Sequence, residues 1–435
     1  MANFYFEQGK DIPIIADVDV LICGGGPAGI GAAIRAGNLG VSTMLIEMQN
    51  RLGGIATAGL MSHWTGYSSS LVLQEILKEQ NEKGLSFGNV PDENQYEDKF
   101  IDQESLSVIL DEMVKKAHVK ILLSTLVCKA VVENHTIIGV IIENKSGRGF
   151  IKAKRIIDAT GDGDVAASAG VPYFKGRESD GKMQPCTLMF KIGGVDYSKA
   201  VFPGSFESLV YTPKGELQSL AKKILPFPAG HVLLMKQRTP GTVCCNMTNS
   251  INIDATNGFD VSNATIQCRS QIEPILNFLR EYVPGYKHCY LICTASLLGV
   301  RETRHFKGLQ SLSAEDITSA KFFPDWIVEQ AFFNFDVHNM SGASLDETGI
   351  QHQWAQPNSY TIPYGCILPQ KIDGLLLSGR NISGSHLAHS NFRAMPICIA
   401  IGEACGAAAA LSIKNNTKLI DVSVEEIQKC VKQTL

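Results

Sequence analysis

The chain has 435 residues, of which 45% are hydrophobic and 19% are charged. These fractions are those of a folded globular protein, and they exclude a disordered or fibrous chain. The formal charge is −4, from 39 basic and 43 acidic residues, and no long basic run occurs. We therefore expect no nucleic-acid partner.

The sequence predicts neither a membrane span nor a metal site. The most apolar stretch, residues 397–413, contains Gly402, Glu403 and Gly406, so we expect no transmembrane helix. The N-terminus has no basic region followed by an apolar stretch, so we expect no secretory signal. The twelve cysteines lack CxxC spacing, which predicts no zinc site and favours reduced thiols in a cytoplasmic protein.

The first elements along the chain have the order of a βαβ unit. Residues 19–23 read as a buried strand, residues 27–40 as a helix, and residues 41–47 as a second apolar strand. This order within about 30 residues is typical of a parallel sheet.

A glycine fingerprint lies at the turn between the first strand and the helix. In Gly24-x-Gly26-x-x-Gly29, the first glycine permits a tight turn and the second lets the backbone approach a pyrophosphate. Gly29 lets the helix pack closely on the strand. Glu47, about 20 residues on, is predicted to accept hydrogen bonds from the adenosine ribose hydroxyls.

The rest of the chain divides into a central part and two flanks. We predict a helix at 102–118, strands at 121–133, 136–144 and 150–159, and a final strand and helix at 373–378 and 396–413. Between them, the alternation of strand and helix is lost. We therefore expect one doubly wound domain from residues 1–170 and 356–435, with a substrate domain at 171–355 inserted into it.

Three distant segments are predicted to converge on one extended ligand. They are residues 159–164 (ATGDGD), 379–381 (GRN) and 402–406 (GEACG). Because the chain has one glycine fingerprint and three such loops, FAD fits better than NAD.

These motifs resemble the glutathione-reductase-type FAD-binding fold. More specifically, they resemble the FAD-dependent oxidoreductase family, which also contains heterodisulfide-reductase-A-like and fumarate-reductase-like proteins. The family's blocks run in order from Val18 to Leu411 and include GGGPAG, RLGGIATAGL, IIDATGDGDVAASAG, LGVRETRHFKG and SNFRAMPICIAIGEACGAAAA. The resemblance implies an α/β protein whose Rossmann-like FAD-binding domain has a parallel sheet in three layers, with an inserted mixed α+β substrate domain.

The resemblance also implies non-covalent FAD and the residues that would hold it. Around the adenosine and pyrophosphate these are Gly24, Gly26, Pro27, Ala28, Gly29, Glu47, Met48, Arg51, Val127, Ala159, Thr160, Gly161 and Asp164. Around the ribitol and the flavin ring they are Gly53, Gly54, Ile55, Ala56, Thr57, Gly379, Arg380, Pro396, Gly402 and Ala404. Many relatives have Gly-Asp where this chain has Gly379-Arg380, so Asn381 or a water is expected to replace that acid.

Four residues are predicted to carry chemistry: Arg301, His338, His386 and Arg393. Arg301 is either a clamp for a substrate carboxylate or the flavin edge, or half of a structural salt bridge with Glu302. His338 and His386 are either proton donors or acceptors beside flavin N5 or structural hydrogen-bonders.

The function implied is an FAD-dependent oxidoreductase. It would transfer hydride between flavin N5 and a small, anionic or carbonyl-containing substrate, with an unidentified electron donor or acceptor. Two alternatives stay open: a disulfide or electron-transfer flavoprotein that uses the cysteines, and a non-catalytic FAD-binding protein.

Overall fold

The structure is a computed structural model, and it describes residues 5, 7–85, 100–206, 208–346, 354, 356 and 358–434. Its helices are α1 Pro27–Asn38, α2 Leu71–Glu82, α3 Gln103–Lys116, α4 Asp164–Ser168, α5 Leu217–Ile224, α6 Gly258–Ser270, α7 Ile272–Tyr282, α8 Ala314–Thr318, α9 His386–Phe392, α10 Met395–Lys414 and α11 Val424–Lys432.

Its strands are β1 Ile14–Cys23, β2 Thr43–Ile46, β3 Lys120–Leu122, β4 Leu126–Glu133, β5 Thr136–Asn144, β6 Gly147–Asp158, β7 Tyr173–Lys175, β8 Phe190–Gly193, β9 Tyr211–Thr212, β10 Gly215–Glu216, β11 Leu234–Lys236, β12 Val243–Cys245, β13 Tyr290–Thr294, β14 Arg304–Phe306, β15 Trp326–Ala331, β16 Tyr360–Pro363 and β17 Leu375–Leu377.

The largest described sheet has a parallel core with the order β3-β2-β1-β6-β17. Val20 to Cys23 in β1 and all of β2 are buried, as a parallel strand covered on both faces requires. The predicted α/β class is therefore confirmed. The C-terminal strand β17 returns to this sheet beside β6, so the two ends of the chain share one sheet.

An antiparallel pair extends the sheet on the same side of β6. The first half of β6 pairs with β5, with Gly139 opposite Lys152, whereas its last residues pair with β17, with Leu375 opposite Ile156. The β4–β5 hairpin turns at Asn134 and His135, whose φ angles are 47° and 62°. Positive φ at both turn residues matches the right-handed twist of the strands, so the predicted junction is confirmed.

Helices α1 and α10 pack against each other with their backbones unusually close. A Cβ on Gly402 would lie 1.8 Å from the carbonyl oxygen of Ala28, and a Cβ on Gly31 would lie 2.2 Å from that of Ile399. Glycine at both positions therefore lets the backbones of α1 and α10 approach each other. Arg35 of α1 pairs with Glu403 of α10 in the same buried interface.

Helix α10 has the length and apolar character of a membrane span, the one such helix within the described ranges. Its most apolar window is 89% buried inside the protein, because α1, the sheet and β15 cover it. A core helix has the same composition, and its burial here assigns α10 to the core.

A second core lies in the central part of the chain. It is built on the antiparallel sheet β11-β12-β8-β13 and on α5 and α7, within residues 190–289. Residues from Phe306 to Phe335 pack instead in the large core with the parallel sheet. A third, smaller cluster, which contains Met189, Leu233, Met235 and Leu298, adjoins the cavity described below. The division at residues 170 and 356 stays a prediction, with the second core at the centre of the proposed substrate domain.

Candidate active site

A cavity of about 650 Å³ runs from the carboxyl ends of β1, β2 and β6 to the antiparallel sheet. Small-molecule sites usually measure about 300–1,000 Å³, and in open parallel sheets they lie at the carboxyl ends of the strands. The cavity has the size and the position of a cofactor and substrate site.

The three fingerprint glycines differ in what surrounds them. Gly24 has φ 103°, and a Cβ there would lie 2.3 Å from the carbonyl oxygen of Ala159. A Cβ on Gly29 would lie 1.8 Å from the carbonyl oxygen of Gly24, so Gly29 serves packing and does not line the cavity. Gly26 lines the cavity, and a Cβ on it would meet nothing closer than the Cα of Gly54 at 4.0 Å.

The start of α1 is suited to a phosphate group. Gly26 caps the helix without a side chain, and Pro27 occupies its first turn. The N–H groups of the first turn are then capped by no side chain, and the helix dipole adds positive potential there. Pro27 and Ala28 line the cavity at this point.

Glu47 lines the cavity at the end of β2. Its Oε2 accepts a hydrogen bond from the backbone N–H of Gly25 at 2.5 Å, and its Oε1 accepts one from that of Gln49 at 2.7 Å. Burial raises the pKa of Glu47 from its ordinary value, although these two bonds oppose the change. Each carboxylate oxygen can accept one more hydrogen bond, which suits a ribose diol.

The loop after β6 is fixed by a buried carboxylate. Asp158 accepts hydrogen bonds from the N–H and hydroxyl of Thr160 and from the N–H of Ala166. Burial raises the pKa of Asp158 to about 6 despite these bonds. They hold the segment that follows against the cavity, and its lining residues are Ala159, Thr160, Gly161, Asp162 and Asp164.

Arg380 faces this loop from the turn after β17. Its Nη2 lies 2.8 Å from Oδ1 of Asp162, and both residues line the cavity together with Gly379. Asn381, expected to replace the missing acid, is buried and donates from Nδ2 to the carbonyl oxygen of Asp158. Asp162 is thus an acid in the lining beside Arg380, from a different segment of the chain, and its Oδ1 also accepts a hydrogen bond from Thr303.

A charged group occupies the part of the cavity nearest the antiparallel sheet. Arg393 Nη2 lies 2.8 Å from Oδ2 of Asp336, and His338 Nε2 lies 3.3 Å from the same oxygen. Arg301 donates to the carbonyl oxygen of Pro185 at 2.6 Å and to the hydroxyl of Thr187 at 2.9 Å. Arg301, Asp336, His338 and Arg393 all line the cavity.

Burial and the charges of the neighbouring side chains determine the pKa values in this group. Burial and the neighbouring Arg393 lower the pKa of Arg301 to about 10, so it is positive at neutral pH. Burial and the charge of Arg301 lower the pKa of His338 to about 4, so His338 is neutral there. Burial alone would raise the pKa of Asp336, but His338 and the two arginines hold it well below its usual range. Two cations and one anion leave a net positive charge.

Several predicted cofactor residues lie outside the cavity lining. Besides Gly29, these are Arg51, Gly53, Ala56, Thr57, Pro396, Gly402 and Ala404, whereas Met48, Gly54, Ile55 and Val127 do line it. Arg51 forms an ion pair with Glu104 at the surface. Thr57 donates its hydroxyl to the carbonyl oxygen of Leu52 and thereby shapes the loop.

The C-terminal block was expected to face the flavin, and its first residues line the cavity whereas Pro396, Gly402 and Ala404 do not. Gly402 packs against α1, and Ala404 is fully buried in α10. The carbonyl oxygen of Pro396 accepts a hydrogen bond from Ser68. The lining residues of this block are Arg393, Ala394, Met395 and Cys398, at the start of α10.

His386 also lies away from the lining, because it belongs to a buried hydrogen-bonded network. Its Nδ1 lies 2.7 Å from Oε1 of Glu302, and Nε2 of His305 lies 2.7 Å from the same oxygen. Glu302 therefore pairs with histidines and not with Arg301. Arg304, the second arginine of the motif, pairs with Asp164 and does not line the cavity.

The same network is the one potential metal-ligand group among the described residues. Glu302, His305 and His389 offer ligand atoms within 4.8 Å of one another. Tetrahedral zinc with bonds of about 2.0–2.1 Å keeps its ligand atoms about 3.3 Å apart. The 2.7 Å between Glu302 and His305 is a hydrogen-bond distance, so these two side chains are bonded to each other and are too close to be ligands of one zinc ion.

Sequence reasoning missed Asp162, Asp336 and the apolar lining residues. Asp162 stands inside the TGDGD motif and Asp336 stands two residues before His338, so both were in motifs already singled out. The apolar residues, including Met189, Leu233, Met235 and Leu298, lie in the segment with no recognisable pattern, where no sequence signal could have found them.

The cysteines are all free, and ten of the twelve are buried. Cys398 alone among them lines the cavity, and burial raises its pKa to about 12. The adjacent pair Cys244 and Cys245 lies in β12, outside the lining, and burial raises the pKa of Cys244 to about 12. A thiol with so high a pKa is a poor nucleophile.

The comparisons with known proteins show the family of the chain. The model of the family described as FAD dependent oxidoreductase matches residues 19–431. Dihydrolipoyl dehydrogenase of Buchnera aphidicola subsp. Schizaphis graminum is 34% identical over 151 residues, which are 33% of this chain and 29% of that protein. The enzyme of the same name from Buchnera aphidicola subsp. Acyrthosiphon pisum is 40% identical over 74 residues, 17% of this chain and 15% of that one. The chain thus matches less than a third of the length of these relatives.

Among solved structures, that of the flavin-dependent brominase Bmp2 is similar in fold. It has a TM-score of 0.53 at 10% identity, over 95% of this chain and 84% of the other. The open glycine at the start of α1, the helix N-terminus beside it and the Glu47 carboxylate fit the pyrophosphate and ribose of FAD. With the family match over nearly the whole chain, this protein belongs to the FAD-dependent oxidoreductase family, and its cofactor is FAD.

Proposed function

We propose that the protein is an oxidoreductase that transfers a hydride between FAD and a small anionic or carbonyl-containing organic substrate. The observation that carries the proposal is the charge on Arg301. Within the described chain, its hydrogen-bond partners are the carbonyl of Pro185 and the hydroxyl of Thr187, and both are neutral. Arg393 already shares Asp336 with His338, so a positive charge remains for a ligand.

The roles of the residues follow from this charge. FAD, when bound, supplies a flavin ring that can accept or donate a hydride. Arg301 and Arg393 would bind and orient a carboxylate, and would stabilise negative charge on a substrate oxygen. His338 turns Nε2 toward Asp336, which leaves Nδ1 to accept a proton from the substrate. A bound anion would raise the pKa of His338 above about 4 and make it a better base.

The two alternatives have less support. A dithiol relay needs a pair of reactive thiols at the cavity, and Cys398 is the one thiol in the lining of the described chain. A non-catalytic role does not require the net positive charge that Arg301, Arg393 and Asp336 together leave in the cavity lining. The free thiols favour a reducing compartment, so we also propose a cytoplasmic location, a small-molecule substrate and a separate electron donor or acceptor.

The test begins with photoreduction of the FAD-loaded protein in the absence of oxygen, followed by a screen of electron acceptors. Rapid reoxidation by a keto acid or an unsaturated acid supports the proposal. Reoxidation by a disulfide instead would establish the dithiol alternative, and reoxidation by no compound would favour a non-catalytic role. Acid precipitation should release the flavin into the supernatant, because we propose non-covalent binding.

A pair of arginine variants tests the residue that carries the proposal. Arg301→Lys should retain FAD and lower turnover at least about tenfold, because lysine keeps the charge but loses the planar fork. Arg269→Lys is the matched control, since Arg269 is an exposed residue of α6 and does not line the cavity. Equal turnover in wild type and Arg301→Lys would make Arg301 structural.

A further inference from the structure

The cavity has an apolar wall that the cofactor-binding motifs do not contribute. Met189, Leu233, Met235 and Leu298 belong to the third hydrophobic cluster, and each of them also lines the cavity. Met189 and Leu233 directly precede β8 and β11, Met235 lies within β11, and Leu298 lies in the loop after β13, so the wall belongs to the antiparallel sheet and not to the parallel one. Phe206 extends this wall.

The wall is continuous with the arginine group. The rings of Phe206 and His338 meet edge to face at 5.1 Å between centroids, and His338 lies 3.3 Å from the Asp336 carboxylate that holds Arg393. Leu298 is three residues from Arg301 in the same lining segment, which includes Gly299 and Val300. A ligand anchored by its anion at the arginines would therefore place its next atoms against the wall.

The composition of the wall favours a flat apolar group over a polar chain. The thioether of methionine is polarizable and makes favourable contacts with the edge of an aromatic ring, and the wall contains two methionines. Phe206 already makes edge-to-face contacts with two rings, those of His231 and His338, the geometry that aromatic pairs prefer. Met189, Leu233, Met235 and Leu298 are buried, with 5–8% of their surface exposed, and an apolar ligand would cover the part that faces the cavity.

We infer that the substrate is an aromatic carboxylate, with its anion at Arg301 and Arg393 and its ring on the wall formed by Met189, Phe206, Leu233, Met235 and Leu298. The inference rests on the proposed function, which requires only an anionic or carbonyl-containing ligand. It adds the class of the rest of the molecule.

The test measures binding to the oxidised FAD-loaded protein by perturbation of the flavin absorbance and by calorimetry. The probes are phenylacetate, 3-phenylpropionate, acetate, succinate and the neutral phenylacetamide. The two aromatic acids should bind at least about tenfold more tightly than acetate or succinate, and at least about tenfold more tightly than phenylacetamide.

Two variants of wall residues test whether the aromatic acids bind against the wall. Phe206→Ala and Met235→Ala should each weaken the aromatic acids at least about fivefold and leave the weak affinity for acetate unchanged. Leu309→Ala is the control, because Leu309 is half-exposed and lies outside the lining. Thermal unfolding of each variant shows whether it is folded, and a wall variant that fails to fold is replaced by Phe206→Leu.

The outcomes separate the inference from the proposed function. If succinate binds as tightly as the aromatic acids and Arg301→Lys weakens it, the aromatic class is wrong and the anion site stands. If phenylacetamide binds as tightly as phenylacetate and Arg301→Lys has no effect, the wall binds a ring but the anion site is wrong, which overturns both the aromatic carboxylate and the anionic substrate of the proposed function. If no aromatic acid binds, the inference is overturned.

Discussion

Glu302 and His386 lie 84 residues apart and are joined by a hydrogen bond of 2.7 Å between Oε1 and Nδ1. Glu302 follows Arg301 directly in the chain, and His386 begins helix α9, which Arg393 caps at its C-terminal end. The bond therefore ties together the two segments that carry the arginines of the site. Burial would raise the pKa of Glu302, but the bonds from His305 and His386 hold it well below its usual range.

The first prediction concerns the hydrogen bonds of Glu302. Glu302→Gln removes a buried charge that accepts three hydrogen bonds, from His305, His386 and the N–H of Gln184, so we expect a loss of about 1.5–3 kcal/mol in the free energy of unfolding. Urea unfolding of the apoprotein measures it. Glu104→Gln, at the exposed pair with Arg51, should change stability by less than about 0.5 kcal/mol. Equal stability of wild type and Glu302→Gln would show that the network contributes nothing.

The second prediction concerns the adenosine end of the cavity. Glu47→Gln keeps one acceptor oxygen but loses the charge that two ribose hydroxyls would use, so FAD affinity should fall about 10- to 100-fold. Fluorescence titration of the apoprotein with FAD gives the dissociation constant. Glu425→Gln, an exposed residue of α11, is the control. Unchanged FAD affinity in Glu47→Gln would contradict the prediction that Glu47 binds the ribose hydroxyls.

The third prediction concerns the start of α1. An alanine at Gly26 would fit the fold, because its Cβ would meet only the Cα of Gly54 at 4.0 Å, but that Cβ would occupy space on the cavity side. We expect Gly26→Ala to weaken FAD binding at least about tenfold and to leave the melting temperature of the apoprotein within about 2 °C of wild type. Gly258→Ala, at an open helix start far from the cavity lining, should change neither. Full FAD affinity in Gly26→Ala would contradict close approach of the pyrophosphate.

The fourth prediction separates packing from cofactor contact at Gly402. Its Cβ would lie 1.8 Å from a backbone oxygen of α1, and backbone cannot move aside cheaply. Gly402→Ala should therefore destabilise the apoprotein by at least about 1–3 kcal/mol. Differential scanning calorimetry without FAD measures this loss. A variant with normal apoprotein stability and weakened FAD binding would restore the flavin-facing role expected from the sequence.

The fifth prediction concerns pH. Burial lowers the pKa of His231 to about 3, against an ordinary value near 6.5, so the unfolded chain binds more protons below pH 6.5. The contribution of neutral His231 to the free energy of unfolding is fully present above pH 6.5. It is lost as the pH falls below 6.5, by about 1.4 kcal/mol per pH unit.

His231→Gln removes this titration, because glutamine can still donate to the carbonyl of Asn246 but binds no proton. Between pH 6.5 and pH 5, the variant should lose about 2 kcal/mol less of its free energy of unfolding than wild type. His288→Gln, at an exposed histidine, should follow the wild-type curve. Parallel curves for wild type and His231→Gln would contradict the buried neutral state of His231.

The sequence by itself determined the parallel sheet and the cofactor loop. Local signals were sufficient there: a buried strand, a glycine turn and a helix must follow one another. Gly24 and Gly29 avoid steric contacts with the neighbouring strand end and within their own βαβ unit. The hairpin at Asn134 and His135 and the long apolar helix α10 are equally local features.

The tertiary structure decided which charged and apolar side chains share the cavity. Glu302 lies beside Arg301 in the chain, yet it pairs with His386, because neighbouring residues on an extended segment point in opposite directions. Asp162 meets Arg380 across more than two hundred residues of chain. The apolar wall comes from strands without a recognisable pattern, so its place beside the arginines depends on how the antiparallel sheet packs on the parallel one. Spacing along the chain carries no information about such contacts, because the packing of distant elements creates them.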